Sequence, residues 1–595
     1  MLKVSYIIAL LSSIGVFNSC TGNFINLQKD NEQLVYYEQN ETVYGTYLAG
    51  RVALLRQDFD NAAKYYIKTM ENGKINEDII GRTYFILASQ GKIDEAKAYA
   101  DKSRELGDKN SFIDVIGAVY EFKHKNYQTA RDKLNSINER TYDILIAPLF
   151  NAWSYVGENN YKEATKELNK LASAEEMKTV YNLHQGMIAE YFNHLEEAEA
   201  AYDRIINDST ADMSFRALQI ISDFFVRYGK KDKAVSIISK QYGTNSMREL
   251  LSGLSTKINR EENTLKNFKR TVDMGAGEVF LEVGLLYKSV PVATDYAQIY
   301  MAISEYFNPN NDVTKISMAD IYESRQMYRE ANRYYDSIDE KSEMYYPAQL
   351  KKSDNLVLME KYDDAATVLK KLLKDNQKNF QILFNLGNIL QKNNNQEDAI
   401  KYYTEAINSI FYESERYWSI FYALGVSYDR NNEWEKAEEN LEKALKLSNR
   451  HPQVLNYLGY TWLKNGVNID RAIAYILEAY EKEPNNGGII DSLGWVYFKT
   501  GDYKNAIIYL EKASEINPQN AIISDHLGDA YWQGGRKNEA VYLWKHALTQ
   551  KEDEEELNRK KVKHKIEYGM KTMHVLTIND ERIKKNLYSL NDITE

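Results

Sequence analysis

The side chains that most often carry enzymatic chemistry are few in this sequence, and their spacing does not bring them together. The chain of 595 residues has one cysteine and eight histidines. No histidine pair has the HExxH arrangement or another spacing that would hold a metal ion. The many carboxylates fall on predicted helix surfaces, where such groups are usually solvated. We therefore predict no catalytic residues, no metal site and no cofactor.

Motifs that hold a phosphate group or expose a nucleophile are also missing. Neither GxxxxGKS/T nor GxSxG occurs in the sequence. The stretch GAGEVF at 275–280 begins like a dinucleotide-binding fingerprint, but it lacks the third glycine and a preceding strand. The formal net charge of −11 disfavours nucleic acid, because phosphate backbones are bound by basic surfaces. We predict a protein that is not an enzyme and does not bind nucleic acid.

The single cysteine, Cys20, lies where a secretory signal would end. Lys3 precedes an apolar run over residues 4–17, which is too short to span a bilayer comfortably but typical of a signal peptide. Cys20 follows within three residues of that run, directly after Ser19. This pattern resembles bacterial lipoprotein signals, which implies that residues 1–19 are removed and Cys20 is lipidated. A cleaved secretory signal with an incidental cysteine and an uncleaved anchor are the alternatives.

The residues after the cysteine indicate a tether and a destination. Residues 20–40 are mostly polar, which is typical of a linker to a folded body. Thr21 follows the cysteine, at the place where an aspartate in bacterial lipoproteins indicates retention at the inner membrane. The resemblance therefore implies an outer-membrane lipoprotein that faces the periplasm. A secreted periplasmic protein is the alternative.

An internal repeat organises most of the chain. Alanines recur in similar short motifs, and most steps between them are 34 residues long. A fixed period of this size indicates stacked helical units, each of which buries its apolar face against its neighbours. The alanines of this repeat are Ala62, Ala96, Ala130, Ala164, Ala198, Ala234, Ala297, Ala331, Ala365, Ala399, Ala437, Ala472, Ala506 and Ala540.

The 34-residue unit resembles the tetratricopeptide repeat (TPR), which is a pair of antiparallel helices. Small residues lie where its two helices approach closely, because larger side chains would overpack that contact. Proline ends the second helix, since it cannot continue one. The resemblance implies an all-α TPR superhelical solenoid of about 14–15 helix-turn-helix repeats. One repeat carries the family's residues as Leu493, Gly494, Tyr497, Ala506, Leu510, Ala513 and Pro518.

Interruptions of the repeat divide the chain. Between Ala234 and Ala297 there is room for one irregular repeat. We therefore predict an N-terminal array over residues 41–243, a degenerate repeat or bend over 244–277, and a C-terminal array over 278–550. In residues 551–595 acidic residues precede basic ones, which suits the dipole of a helix. We predict a capping helix and a tail there.

In the TPR family the first helix of each repeat lines a groove that binds other proteins. Aromatic side chains in such a groove bury much area on binding, and carboxylates beside them favour basic partners. The alternative is that the aromatic rings fill space between the stacked repeats and that the aspartates are solvated. The predicted partner-binding residues of the last three full repeats are Tyr460, Asp491, Trp495, Phe498, Asp525, Asp529 and Trp532.

Two strings carry a narrower resemblance. DSLGW (491–495) and DHLGDAYW (525–532) are similar to large TPR lipoproteins of Gram-negative bacteria, especially those of alphaproteobacteria. Some of those lipoproteins recruit periplasmic processing proteases, and others support outer-membrane assembly. Phe384 and Asn388 stand where TPR co-chaperones carry the lysine and asparagine of a carboxylate clamp, which disfavours the capture of chaperone tails.

These observations together predict a non-catalytic scaffold or adaptor, tethered to the outer membrane, that binds protein partners in its groove. An adaptor for a periplasmic processing protease is one form of that role. A structural factor in outer-membrane or envelope assembly is the alternative, and a TPR-linked glycosyltransferase component is a remote one. A homodimer is also left open, because TPR arrays often associate through exposed terminal helices.

Overall fold

The computed structural model describes residues 42–73, 77–137, 146–208, 213–241, 248–260, 268–375, 378–412, 414–550, 557–570 and 575–590. These residues form 31 α-helices, and no strand occurs among them. The predicted signal peptide, Cys20 and the tether of residues 20–40 lie outside the described residues. Within the described ranges, no helix combines the length and the apolar character needed to cross a bilayer.

The chain divides into two compact units, Met1–Asn355 and Leu356–Glu595. The helices of the first unit are α1 (Val43–Leu55), α2 (Phe59–Glu71), α3 (Glu77–Ser89), α4 (Ile93–Glu105), α5 (Phe112–Lys123), α6 (Tyr127–Asn135), α7 (Ala147–Gly157), α8 (Tyr161–Leu168), α9 (Lys178–Tyr191), α10 (Leu195–Asn207), α11 (Phe215–Arg227), α12 (Lys231–Gln241), α13 (Arg248–Arg260), α14 (Val272–Lys288), α15 (Thr294–Phe307), α16 (Asp312–Ser324) and α17 (Tyr328–Asp336).

The division falls within α18 (Tyr345–Leu358). The helices after it are α19 (Tyr362–Asp375), α20 (Phe380–Lys392), α21 (Gln396–Asn408), α22 (Trp418–Arg430), α23 (Trp434–Leu447), α24 (Pro452–Asn465), α25 (Ile469–Lys482), α26 (Gly487–Lys499), α27 (Tyr503–Ile516), α28 (Ala521–Gln533), α29 (Lys537–Thr549), α30 (Arg559–Tyr568) and α31 (Glu581–Ser589).

The local sequence explains why each helix pair turns where it does. Asn159, Asn193, Asn394 and Asn432 follow first helices with φ between 58° and 61°, a left-handed conformation that asparagine tolerates better than most residues. The second helix then often begins with a side chain that accepts a hydrogen bond from the backbone N–H three residues later. Asp58, Asn160, Asn395 and Asp502 are such caps.

The alanine repeat of the sequence marks the cores of these pairs. All fourteen alanines are fully buried, and each is the fourth residue of its helix. First and second helices pack against each other throughout both units, for example α1 on α2 and α28 on α29. The predicted all-α solenoid of helix-turn-helix repeats is confirmed.

The predicted boundary between residues 277 and 278 falls inside α14. The segment 244–277, predicted as a degenerate repeat or bend, contains α13 and the beginning of α14. α14 and α15 form a hairpin that folds back onto α3, α7 and α9 of the same unit. Spacing along the chain does not reveal this contact, because it joins repeats that are distant in sequence.

The C-terminal residues form more regular structure than a tail suggests. α30 packs on α29, and α31 packs on α25. Leu587 of α31 is fully buried. Residues 557–570 and 575–590 together make up the C-terminal segment of the chain, which lies against the last repeats.

Candidate protein-binding faces

The inner face of each unit is the one formed by the first helices of its pairs. In the first unit the hairpin α14–α15 packs on this face at α3, α7 and α9. Phe280 of α14 lies 5.6 Å from Phe150 of α7, measured between ring centroids. Tyr296 of α15 lies 6.1 Å from Phe85 of α3. The inner face around α3 and α7 is therefore filled by the chain itself.

Gly275 explains how closely the hairpin approaches. A Cβ atom at Gly275 would overlap the indole ring of Trp153, which is fully buried in α7. Trp153 Nε1 donates a hydrogen bond of 2.9 Å to His184 Nδ1. Burial lowers the pKa of His184 to about 3, so its ring is neutral and can accept this bond. The glycine that begins GAGEVF thus serves helix packing.

Polar contacts hold the same hairpin in place. Lys123 Nζ of α5 lies 2.8 Å from an Asp273 carboxylate oxygen and 3.1 Å from the carbonyl oxygen of Tyr306. Gln298 of α15 donates through Nε2 to the carbonyl oxygen of Ser89 at 3.3 Å. These bonds fix both helices of the hairpin against the first helices of the array.

A cavity of about 290 Å³ beside α14 is lined by charged side chains. Arg227 and Arg270 both donate to the buried carboxylate of Glu190, at 3.0 and 3.3 Å. Arg216 donates through Nε to Glu278 of α14 at 3.0 Å. Each of these arginines is thus paired with a carboxylate of the chain, and the pair Arg216–Glu278 ties α11 to α14.

In the second unit, the inner face of α20, α22 and α24 holds an open cavity of about 500 Å³. Its lining combines aromatic rings with amide side chains, which is the usual chemistry of a surface that binds peptide segments. The lining residues are Phe384, Asn388, Gln391, Trp418, Ser419, Tyr422, Ala423, Val426, Arg430, Gln453 and Tyr457.

The aromatic rings of this cavity are held by their neighbours. Trp418 stacks on His451 at 4.5 Å between ring centroids. The rings of Tyr422 and Tyr457 meet edge to face at 5.7 Å, and Gln453 donates to the Tyr422 hydroxyl at 3.3 Å. The rings are thereby ordered before any partner arrives, which reduces the entropy lost on binding.

Amide side chains at the same face make contacts both within a repeat and between repeats. Tyr403 donates through its hydroxyl to Asn388 Oδ1 at 2.7 Å. Gln391 donates to the carbonyl oxygen of Ala423 in the next repeat at 3.0 Å. Phe384 and Asn388, which stand at the lysine and asparagine positions of the co-chaperone clamp, therefore lie on this open face, with Asn388 in a structural contact.

The predicted partner-binding aspartates lie at the other end of the second unit, where the C-terminal segment contacts them. Lys565 of α30 places Nζ 2.9 Å from Asp525 and 2.7 Å from Asp529. Asp529 also accepts a hydrogen bond of 2.9 Å from Trp544 Nε1. Burial and the nearby Asp525 carboxylate raise the pKa of Asp529 to about 6, although Lys565 opposes that rise.

Trp532, also predicted to bind a partner, is covered by the same segment. Its Nε1 donates to the carbonyl oxygen of Met570 at 3.2 Å. A Cβ atom at Gly569, where φ is +73°, would overlap the Trp532 ring. The C-terminal segment thus occupies part of the surface through which Asp525, Asp529 and Trp532 would contact a partner.

The other predicted residues form one cluster around His526. Trp495 stacks on this imidazole at 4.0 Å between centroids, and Asp491 lies 3.0 Å from its Nδ1. Burial lowers the pKa of His526, but the Asp491 carboxylate outweighs it and raises that pKa above its ordinary value. Phe498 stacks on Trp495 at 4.7 Å and is buried, while the Tyr460 ring lies 6.1 Å from His526.

From Trp532 the C-terminal segment returns along the edge of the unit. The backbone N–H of Leu576 donates to the carbonyl oxygen of Lys499 at 2.9 Å. The backbone N–H of Asn579 donates to the carboxylate of Asp470, also at 2.9 Å. Tyr497 donates through its hydroxyl to the carbonyl oxygen of Leu587 at 2.6 Å. The segment therefore contacts three successive repeats.

Sequence reasoning placed the binding residues in the last repeats and missed the open face around Trp418 and Tyr422. A signal for that face was present, because Tyr422 precedes Gly425 by three residues, just as Phe384 precedes Gly387. Both residues occupy the same inward position of their repeats. Among the described residues, no group of three or more His, Cys, Asp or Glu side chains could hold a metal ion.

Comparison with protein families identifies the repeat. Residues 350–413 and 422–487 match one tetratricopeptide-repeat model, and residues 490–520 match a second tetratricopeptide-repeat model. The chain therefore contains tetratricopeptide repeats, as the 34-residue period predicts. Proteins of this fold are typically non-catalytic scaffolds that bind protein partners.

Curated relatives match parts of the chain. The TPR repeat-containing protein PA4667 of Pseudomonas aeruginosa is 26% identical over 171 residues, which is 27% of each chain. The TPR repeat-containing protein MJ1428 of Methanocaldococcus jannaschii is 23% identical over 358 residues, or 53% of this chain and 60% of the relative. BBSome complex member BBS4 of Bos taurus is 34% identical over 108 residues, or 18% and 20% of the two chains. The chain thus spans less than two thirds of each relative.

Solved structures that the chain matches include yeast Tom70 and a tetratricopeptide repeat protein from Parabacteroides merdae. Tom70 is 13% identical, with 93% of this chain and 99% of that chain covered, at a TM-score of 0.33. The Parabacteroides protein is 16% identical, with 44% and 99% covered, at a TM-score of 0.38.

Proposed function

We propose that this protein is a non-catalytic scaffold that binds a segment of a partner protein on the inner face of α20, α22 and α24. The open aromatic cavity of about 500 Å³ on that face carries the proposal. Elsewhere in the described residues, α14–α15 packs on α3, α7 and α9 of the first unit, and the C-terminal segment contacts Asp525, Asp529 and Trp532. The stretch around Phe384 and Tyr422 therefore offers an open surface on the inner face of the second unit.

The lining indicates what a partner segment would present. Ordered aromatic rings favour apolar or aromatic side chains, because such rings bury large areas at low entropic cost. Tyr422 and Tyr457 also carry hydroxyl groups, and Gln453 is an exposed amide. A bound segment would therefore insert apolar side chains between the rings and hydrogen-bond through its own backbone.

The cellular setting is a second part of the proposal, and it rests on the sequence around Cys20. We propose that Cys20 carries a lipid that anchors the chain to the outer membrane, with the repeats in the periplasm. One form of the role, implied by the resemblance to TPR lipoproteins, is an adaptor that brings a periplasmic processing protease to its substrate.

Crosslinked affinity purification from the native envelope tests the binding face. The tagged full chain serves as bait, and the double variant Phe384→Ala/Tyr422→Ala is compared with Phe411→Ala. Phe411 is a fully exposed aromatic outside the cavity, so it controls for nonspecific contacts. We expect a discrete partner that the wild type and Phe411→Ala retain and the double variant loses.

Equal recovery of that partner by a correctly folded double variant would refute the proposed face. The variant Trp495→Ala/Trp532→Ala separates the two ends of the unit. If only this variant loses the partner, the binding site is the one predicted from the sequence and not the open face.

Membrane fractionation tests the anchor separately. The variant Cys20→Ser lacks the acceptor thiol, so we expect it to leave the membrane fraction for the soluble periplasmic fraction. A Cys20→Ser protein that stays with the membranes as the wild type does would show that the lipid anchor is wrong. The binding face is tested independently of this result.

A further inference from the structure

The first helix of the repeat array has an apolar ridge that the described residues do not cover. Tyr44, Leu48, Val52 and Leu55 of α1 are 69%, 60%, 47% and 67% exposed. Their spacing of three and four residues places them on one side of the helix. A terminal repeat usually shows a polar outer surface, so a ridge of this kind marks a contact surface.

The opposite side of α1 is already used. Thr46, Gly50 and Ala53 are buried, and a Cβ atom at Gly50 would lie 2.9 Å from the ring of Tyr66 in α2. Packing on α2 therefore fixes the orientation of the helix, and the ridge points away from its own repeat.

The charge of this helix narrows the choice of partner. Val43–Leu55 contains Arg51 and no acidic residue, and Arg56 follows directly, although the whole chain has a net charge of −11. In a symmetric dimer through α1, these arginines would face each other without carboxylates on the helix to offset them. A stable dimer also needs about 800 Å² from each copy, more than four side chains provide.

We propose that α1 lies on the surface of an anionic lipid bilayer. Leu48, Val52 and Leu55 would enter the boundary between head groups and acyl chains. Arg51 and Arg56 would place their guanidinium groups at lipid phosphates while their aliphatic stems follow the apolar side. This arrangement is that of an interfacial helix, which needs an apolar side and flanking cations and does not need to span the bilayer.

This inference deepens the proposed membrane location and rests on it for the identity of the membrane. The 22 residues between Cys20 and Val43 have a covalent reach of about 75 Å, so a lipid at Cys20 and α1 can reach the same bilayer. A lipid anchor and an interfacial helix would act as two attachment signals, which together bind a membrane more firmly than either alone.

Vesicle co-sedimentation of the unlipidated mature polypeptide, from Thr21 to Glu595, tests the role of α1 without the anchor. The probe is vesicles of phosphatidylethanolamine and phosphatidylglycerol, compared with vesicles of phosphatidylcholine alone. We expect binding to the anionic vesicles, at least tenfold less binding by Leu48→Asp/Val52→Asp, and wild-type binding by Leu358→Asp. Leu358 is 62% exposed in another helix and provides the matched control.

The variant Arg51→Glu/Arg56→Glu keeps the apolar ridge and should lose binding only to the anionic vesicles. Because it replaces surface charges, it keeps the test valid if the ridge variant folds poorly. Undiminished binding by both variants would overturn the proposal. An absence of binding by the wild type would also overturn it. The same holds if sedimentation shows that the wild type forms a dimer through this ridge and that Leu48→Asp/Val52→Asp dissociates it. The partner assay is unaffected by these outcomes, because it uses a different helix face.

Discussion

Replacing Lys565 with methionine should loosen the C-terminal segment by a predictable amount. The lysine side chain is 15% exposed and lies within 2.9 Å of both Asp525 and Asp529. Removing one partner of a buried ion pair costs about 3–5 kcal/mol, because the remaining charges stay buried without compensation. The partial exposure of this site favours the lower end of that range.

We therefore expect a loss of about 3 kcal/mol in the local opening free energy of α30, which corresponds to about 150-fold faster amide hydrogen exchange. Exchange is the right measurement, because a chain with two compact units does not unfold in one step. Amides of α20 and α22 should exchange at the wild-type rate, since they are remote from the ion pair.

The loss should depend on pH in a defined direction. The folded-state pKa of Asp529 is already about 6, above its ordinary value, chiefly through burial and also through Asp525. Without Lys565 it rises further. A carboxyl group with a raised folded-state pKa favours the folded state while protonated, and this advantage disappears as pH rises through that pKa. The defect of Lys565→Met should therefore be larger at pH 8 than at pH 5.

A charge-free combination provides the control. In Lys565→Met/Asp525→Asn/Asp529→Asn no carboxylate is left without its cation, so most of the lost protection should return. The reasoning is refuted if Lys565→Met changes α30 exchange by less than threefold. It is equally refuted if the defect is the same at pH 5 and pH 8.

Three other substitutions probe contacts elsewhere in the described residues. Gly275→Val should destabilise the first unit by about 3 kcal/mol, because the new side chain would overlap Trp153, and thermal unfolding would show it. Burial lowers the pKa of His184 to about 3, so below pH 6.5 the unfolded chain binds a proton there that the folded chain does not. The free energy of unfolding should therefore fall by about 2 kcal/mol from pH 6.5 to pH 5. Chemical denaturation of His184→Gln should show a free energy of unfolding that lacks this part of the pH dependence. If the variant and the wild type lose stability equally between pH 6.5 and pH 5, this explanation is wrong. Tyr497→Phe should increase amide hydrogen exchange in α31 about fivefold, because its hydrogen bond to the Leu587 carbonyl oxygen contributes about 1 kcal/mol. Unchanged exchange would show that this hydrogen bond does not hold the helix in place.

The period of the sequence predicts the repeat fold because its determinants are local. An alanine such as Ala506 must be small where two helices of one repeat meet, and Asn394 or Gly501 must allow the left-handed turn between them. Each requirement involves residues fewer than about 30 positions apart, and it recurs with every repeat. Spacing alone therefore indicates helix pairs, their turns and the fourteen buried alanines.

The candidate faces depend on contacts that spacing does not record. The sequence identifies inward positions such as Asp525 and Trp532. It does not reveal that Lys565 and Met570 of the same chain contact these side chains. It likewise does not reveal that α14–α15 packs on α3, α7 and α9 of the first unit. These contacts join residues up to about 200 positions apart, and they depend on how many repeats stack and how each turns. The sequence by itself thus determined the repeat and its packing positions. Only the tertiary structure decided which inward surfaces stay open to a partner.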